Sequence, residues 1–187
     1  MDIYLIRHTR TATEAGLCYG QSDVALAASF SEDLSALQQK LPELTEDCPV
    51  FSSPLRRCTQ LAERLSVKVT TDDRLLELNF GAWEGVRFDA IEPEILRHWS
   101  ANFVESAPPN GESFTDLYER IGDFWRDLLQ QPLEQAVIVT HAGAIRALLA
   151  HVLTLPLANA FQLRIDPGSV HKLRHQNAYT YIDYLNK

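Results

Sequence analysis

Asp2-Ile3-Tyr4-Leu5-Ile6-Arg7-His8-Thr9 opens the chain with four consecutive apolar side chains that break off at a cation and an imidazole. An apolar run of this length fits a strand buried on both faces. Arg7 and His8 then stand at its carboxyl end, where open α/β sheets keep their ligand crevices. The device returns late in the chain: Ala136-Val137-Ile138-Val139-Thr140 reads as a second buried strand, and His141 follows it directly. Two imidazoles at two strand ends, with arginines nearby, point to one site assembled from distant segments.

Outward from the first strand, residues 10–27 have no clear period and contain Gly16, Gly20 and Asp23, as a loop over the crevice mouth would. Residues 31–41 carry Leu34, Leu37 and Leu41 at helical spacing, with Ser31 as N-cap and Pro42 as the stop. Residues 49–52 form a short strand. Ser53-Pro54 reads as a helix opening, Ser53 capping and Pro54 in the first turn, followed by a buried stripe of Leu55, Cys58, Leu61, Ala62 and Leu65. Arg56 and Arg57 fall in that first turn, where the helix dipole disfavours cations and a bound anion would account for them. Arg56 reads as solvated.

Residues 67–70 suit an edge strand. The apolar and aromatic segment 75–85 is interrupted by Glu77 and Glu84 and closed by glycine turns. Residues 86–107 read as a small helical insertion with Phe88, Ile91, Ile95, Trp99 and Phe103 on one face. Ser113 with Asp116 resembles a capping box. Phe114, Leu117, Tyr118, Ile121, Phe124 and Leu128 then give the clearest helical period in the chain. Ile145, Leu148, Leu149 and Val152 mark another helix, and residues from Phe161 to Leu185 read as strands completing the sheet. The expected architecture is one α/β domain over 1–187.

The totals agree with that size. A chain of 187 residues with 45% hydrophobic and 22% charged content suits one well-buried core. A formal net charge of −8 argues against nucleic acid as a partner. No apolar run approaches the roughly 20 residues that span a bilayer, and no signal-peptide pattern opens the chain. A cytoplasmic location without membrane partner is the expectation, as a monomer or homodimer. Three cysteines, irregularly spaced, do not suggest a disulfide framework.

Arg7, His8, Arg57 and His141 together make a donor-rich cationic pocket whose arginine forks match phosphate oxygens. A neutral histidine can attack phosphorus covalently, and adjacent guanidinium groups keep it neutral. Glu77, flanked by Leu75, Leu76, Leu78 and Phe80, is the first choice to protonate the leaving alkoxide, and Glu84 the second. His8, His141 and Glu77 also have the ligand types of a zinc hydrolase, but arginines crowded against them oppose a dication. His98, His151, His171 and His175 read as packing or surface residues.

Five segments resemble the histidine phosphatase superfamily, the phosphoglycerate-mutase-like enzymes. Arg7-His8-Thr9 is similar to its Arg-His-Gly signature and Ser52-Ser53-Pro54-Leu55-Arg56-Arg57 to its second arginine motif. Residues 76–85, Asn110-Gly111-Glu112-Ser113 and Val139-Thr140-His141-Ala142-Gly143 resemble three further motifs, in the family's order. The resemblance implies a three-layer α/β/α sandwich with a mostly parallel sheet and cofactor-free, metal-free phosphoryl transfer on a small-molecule phosphate ester. It assigns His8 as nucleophile, Glu77 as proton donor, and Arg7, Arg57 and His141 as the phosphate clamp. Thr9, Gln21, Glu84 and Ala142 are further candidates for substrate or supporting contacts. Thr9, Asn110 and Ala142 stand where the family has glycine, and Glu14 where many members have an asparagine. Cys18–Val24 and the short length look most like the α-ribazole phosphatases of cobalamin biosynthesis. A broad-specificity phosphatase, a mutase-type phosphotransferase and an inactive phosphate-binding module remain as alternatives.

Overall fold

Ile3, Tyr4, Leu5 and Ile6 are buried in the computed structural model, which describes residues 1–187. In chain order the elements are β1 (Asp2–Arg7), α1 (Phe30–Gln38), β2 (Val50–Ser52), α2 (Arg56–Ala62), β3 (Val69–Thr71), α3 (Pro93–Asn102), α4 (Phe114–Leu129), β4 (Gln135–Thr140), α5 (Ala142–Leu153), β5 (Val170–Gln176) and β6 (Tyr179–Tyr184). The six strands make one sheet in the order β3-β2-β4-β1-β5-β6. β3, β2, β4 and β1 run parallel, while at the other edge β5 pairs antiparallel with β1 and β6 antiparallel with β5.

Side chains alternate across a strand, so the continuous apolar run of β1 feeds two cores. Ile3 and Leu5 join Phe114, Leu117 and Ile121 of α4 and Ile145 and Leu148 of α5; Tyr4 and Ile6 join Leu37 of α1 and Cys58 and Leu61 of α2. Ala136 and Ile138 of β4 follow the first set and Val137 and Val139 the second. Helices on both faces of a mostly parallel sheet give the three-layer phosphoglycerate-mutase-like α/β architecture.

Register decides what the sheet presents at its upper edge. Arg7 pairs with Thr140 and Ser52 with Val139, so the next residues, His8, His141 and Ser53, emerge together from β1, β4 and β2. The Ser113–Asp116 capping box forms as read, each side chain bonding the other's backbone amide. Within 86–107 lie a 3-10 turn at Phe88–Ala90 and α3.

Four local expectations differ from the structure. Helix α2 begins at Arg56 rather than after Ser53, because the Ser53 hydroxyl is taken by His141 Nε2 at 2.8 Å and caps only weakly, accepting from the Leu55 amide at 3.4 Å. Helix α1 begins at Phe30, one residue before Ser31, with no side-chain cap. The edge strand is β3, two residues later than read, which leaves Val67 almost fully exposed. Residues 157–162 form a 3-10 turn, since Phe161 packs edge-on against Phe103 and beneath Arg146.

Candidate active site

His8 and His141 lie edge to face with ring centroids 5.1 Å apart. His8 Nδ1 is 2.8 Å from the Thr9 carbonyl. A carbonyl can only accept, so Nδ1 carries the proton and Nε2 keeps its lone pair. Burial, reinforced by Arg57 and Arg7 and opposed by the Thr9 bond, lowers the His8 pKa to about 3, so the ring is neutral at physiological pH. His141 is fully buried, and burial, the His8 ring and the guanidinium groups hold its pKa well below the ordinary value. Its Nδ1 accepts the Arg57 Nε–H at 3.2 Å, which leaves the proton on Nε2 to donate to Ser53 Oγ.

Arg57 is also fully buried, and its fork faces inward. Nη1 donates to the Ser22 carbonyl at 2.7 Å and Nη2 to the Gly20 carbonyl at 2.5 Å, while its guanidinium lies 5.4 Å from the centre of the Tyr19 ring. Arg7 Nη1 is held by the Ile165 carbonyl at 2.7 Å, and its Nε is buried without a partner. The Thr9 hydroxyl is likewise buried and unpaired. Two orphaned donors beside a neutral imidazole are what an arriving oxyanion would satisfy.

Glu77 lines a neighbouring cavity that shares Tyr19 with the one at His8. Its Oε2 accepts the Gly143 amide at 3.0 Å in the first turn of α5 and its Oε1 accepts the Leu78 amide at 3.0 Å. A Cβ at Gly143 would overlap Glu77 Oε1, so any larger residue here displaces the carboxylate. A cavity of about 350 Å³ opens on Arg7, His8, Thr9 and Tyr19, and a second of about 140 Å³ on Glu77, Ala142 and Arg146. Tyr19 is a wall of both, its hydroxyl 3.1 Å from Thr11 Oγ1. Arg57 and His141 stand behind His8 and line neither cavity.

Glu84, the second choice for the acid, is placed otherwise. Its carboxylate accepts the amides of Gly20, Gln21, Ser22 and Phe80 at 2.9–3.1 Å and the Ser22 hydroxyl at 2.5 Å. Burial pushes its pKa up, but these bonds outweigh it and hold the group below the usual carboxylate range, the wrong direction for a proton donor. The same loop sends its carbonyls to Arg57, so residues 20–22 are pinned from both sides. Gln21 adds a bond from Nε2 to the Glu77 carbonyl at 3.0 Å. Glu14 is exposed and reaches toward Arg87 at 3.8 Å. Asn110 has φ of 60°, a left-handed position that glycine adopts freely and asparagine tolerates.

Three residues escaped the sequence reading: Ser53 beneath His141, and Arg120 and Arg146, which helical period places among ordinary polar positions. Arg146 donates Nε to the Leu163 carbonyl at 3.0 Å and its guanidinium lies 4.8 Å from the Phe161 ring centre, beside the Glu77 cavity. Its spacing of five after His141 was the only signal available.

The strand order and the histidines at two adjacent strand ends define a chain of the phosphoglycerate-mutase-like α/β class. It belongs to the histidine phosphatase superfamily (branch 1), whose sequence model matches residues 3–187. Phosphoserine phosphatase 1 of Hydrogenobacter thermophilus is 25% identical over 195 residues, covering 100% of this chain and 92% of the relative. The crystal structure of the α-ribazole phosphatase from Shigella flexneri superposes with a TM-score of 0.89 at 26% identity, covering 100% of this chain and 96% of that one. The mycobacterial glucosyl-3-phosphoglycerate phosphatase superposes with a TM-score of 0.82 at 28% identity, over 99% and 98% of the two chains.

Proposed function

We propose that the protein hydrolyses a small-molecule phosphate monoester through a phosphohistidine on His8, without a metal. The carrying observation is the His8 ring itself: neutral, with Nε2 unprotonated, beside two buried donors without partners. In the first step Nε2 attacks phosphorus and the ester P–O bond breaks, Glu77 giving its proton to the departing alkoxide. In the second, Glu77 takes a proton from water, the water oxygen attacks phosphorus, the P–N bond breaks and phosphate leaves. Arg7 and the Thr9 hydroxyl bind the phosphoryl oxygens at the cavity face; Arg57 and His141 complete the clamp once loop 20–22 yields. Guanidinium groups against both imidazoles favour an oxyanion over a dication.

α-Ribazole 5′-phosphate is the substrate we infer, acted on in the cytoplasm. The structural likeness to the Shigella enzyme supports this, as does a cavity of about 290 Å³ lined by Trp99, Phe103 and Phe161. It shares Phe161 with the Glu77 cavity, so a flat aromatic aglycone has an aromatic wall beyond the acid. A broader specificity that includes carboxylated esters is the second reading, favoured by Arg146, whose two Nη atoms make no bond to the protein beside Glu77.

Two measurements decide. Rapid-quench labelling with a radioactive monoester is expected to trap label on the wild-type chain and none on His8→Ala; equal labelling overturns the nucleophile. A metabolite panel containing α-ribazole 5′-phosphate, phosphoserine and a phosphoglycerate is expected to single out the first, and uniform turnover of all three favours the broader reading.

A further inference from the structure

Glu77 is carried on irregular backbone between 3-10 turns at Asp73–Leu75 and Gly81–Trp83. Such a segment has no helix or sheet ladder to fix it, and its carbonyls need other donors. Arg120 of α4 supplies them. Its Nη1 donates to the carbonyls of Arg74 at 2.9 Å and Leu76 at 2.8 Å, and Nη2 donates to the Glu77 carbonyl at 2.9 Å. The remaining donors meet both oxygens of Glu112, Nε at 2.8 Å and Nη2 at 2.9 Å. A guanidinium has five N–H donors, and here all five are used.

Glu112 continues the anchoring. Its Oε2 also accepts the Asn79 amide at 2.9 Å, and its own amide donates to the Asn79 carbonyl at 2.8 Å. The main chain is therefore held on the side before Glu77, at Glu77 itself, and two residues after it. Both charged side chains are about four-fifths buried, at 19% and 21% exposure. An ion pair made only for solubility would have no use for three backbone carbonyls.

We infer that Arg120 and Glu112 form a positioning pair for the proton donor, acting through the backbone from Arg74 to Asn79 rather than on substrate. The inference rests on the proposed role of Glu77. Their planar, bidentate contact sets the height and direction at which the Glu77 carboxyl leaves the chain, and the Gly143 amide then receives it. Lysine at 120 keeps the charge but offers donors from one nitrogen, which cannot span three carbonyls and a carboxylate. Glutamine at 112 keeps the shape but gives up the charge and one acceptor oxygen.

The test compares Arg120→Lys, Glu112→Gln, the double variant and, in parallel, Glu77→Gln. The readout is kcat/KM for an alkyl phosphate, whose leaving group needs a proton, and for p-nitrophenyl phosphate, whose leaving group does not. This ratio reports only steps through the first P–O cleavage, so hydrolysis of the phosphoenzyme does not enter it. Each single variant is expected to lose about tenfold or more on the alkyl ester and less than about threefold on the nitrophenyl ester. The double variant should be little worse than either single, since the two residues act as one unit. Equal loss on both esters, or no loss on either while Glu77→Gln keeps its selectivity, overturns the positioning pair. Should Glu77→Gln itself show no selectivity, the acid assignment fails and this inference falls with it.

Discussion

Replacing Gly143 by alanine perturbs the proposed acid without removing a charged group. The Gly143 amide donates to Glu77 Oε2 at 3.0 Å, and an added methyl overlaps Oε1, so the carboxyl has to leave. Alanine for glycine in a helix gains about 0.5–1 kcal/mol of propensity. Against that stands a charge-assisted hydrogen bond, worth about 1.5–3 kcal/mol when buried and less here, since Glu77 is partly exposed and water can replace the amide. The two effects nearly offset, so stability should change by about 1 kcal/mol at most, a Tm shift of roughly 2–4 °C for a chain of this size. Catalysis should respond very differently. General acid assistance contributes about 10²–10⁴-fold, and kcat/KM for an alkyl phosphate should fall about 100-fold while p-nitrophenyl phosphate loses less than about threefold. Steady-state assays of both esters, with a thermal melt of the same preparation, check this. Equal losses on the two esters would refute the acid reading, and a Tm drop beyond about 10 °C would refute the stability balance.

Acid should destabilise the fold in a defined window. The pKa of His8 is lowered to about 3 and that of His171 to about 4 from 6.5, chiefly by burial, and His141 moves the same way. Below 6.5 the unfolded chain binds the extra protons, so stability present above that pH is lost as pH falls toward the folded values, by at most about 1.4 kcal/mol per pH unit for each ring. Urea unfolding at about pH 7.5 and about pH 5 measures it, and a rise in stability on acidification refutes it. Glu84→Gln, which loosens the loop 20–22 whose carbonyls compete for Arg57, should lower the Kd for inorganic phosphate about threefold; titration calorimetry giving an unchanged or higher Kd would break the link from that loop to Arg57. Prolonged dialysis against a chelator should leave turnover intact, and activity lost to the chelator and restored by zinc would return the zinc hydrolase to first place.

What was legible in the sequence was whatever depends on a contiguous run. Residues 3–6 and 136–139 declare two buried strands, and once these are parallel neighbours His8 and His141 must converge. Contacts between distant loops left no such trace. Ser53 reads as a helix cap because serine before proline usually is one; its hydroxyl is diverted by an imidazole 88 positions later. Glu84 reads as second choice for the acid or as a supporting contact, with no way to choose, because its partners are backbone amides more than 60 positions earlier, and amides have no sequence signature. Arg120 sits on α4 at a spacing that any solvent-facing cation would show, and only the irregular chain crossing beneath it gives it three carbonyls to hold.

On the proposed role of Arg57 as part of the phosphate clamp, its inward-facing fork makes anion capture an exchange. Two of its donors are satisfied by carbonyls of the chain's own loop and a third by His141. A phosphoryl group that recruits this guanidinium displaces ligands of nearly equal quality, so the net gain is the difference between two sets of bonds. The same difference governs departure: when inorganic phosphate lets go, the loop carbonyls are already at hand to take its place, and the cation is never left bare. If Arg57 plays the proposed part, the site trades tight retention of phosphate for a low barrier to clearing it.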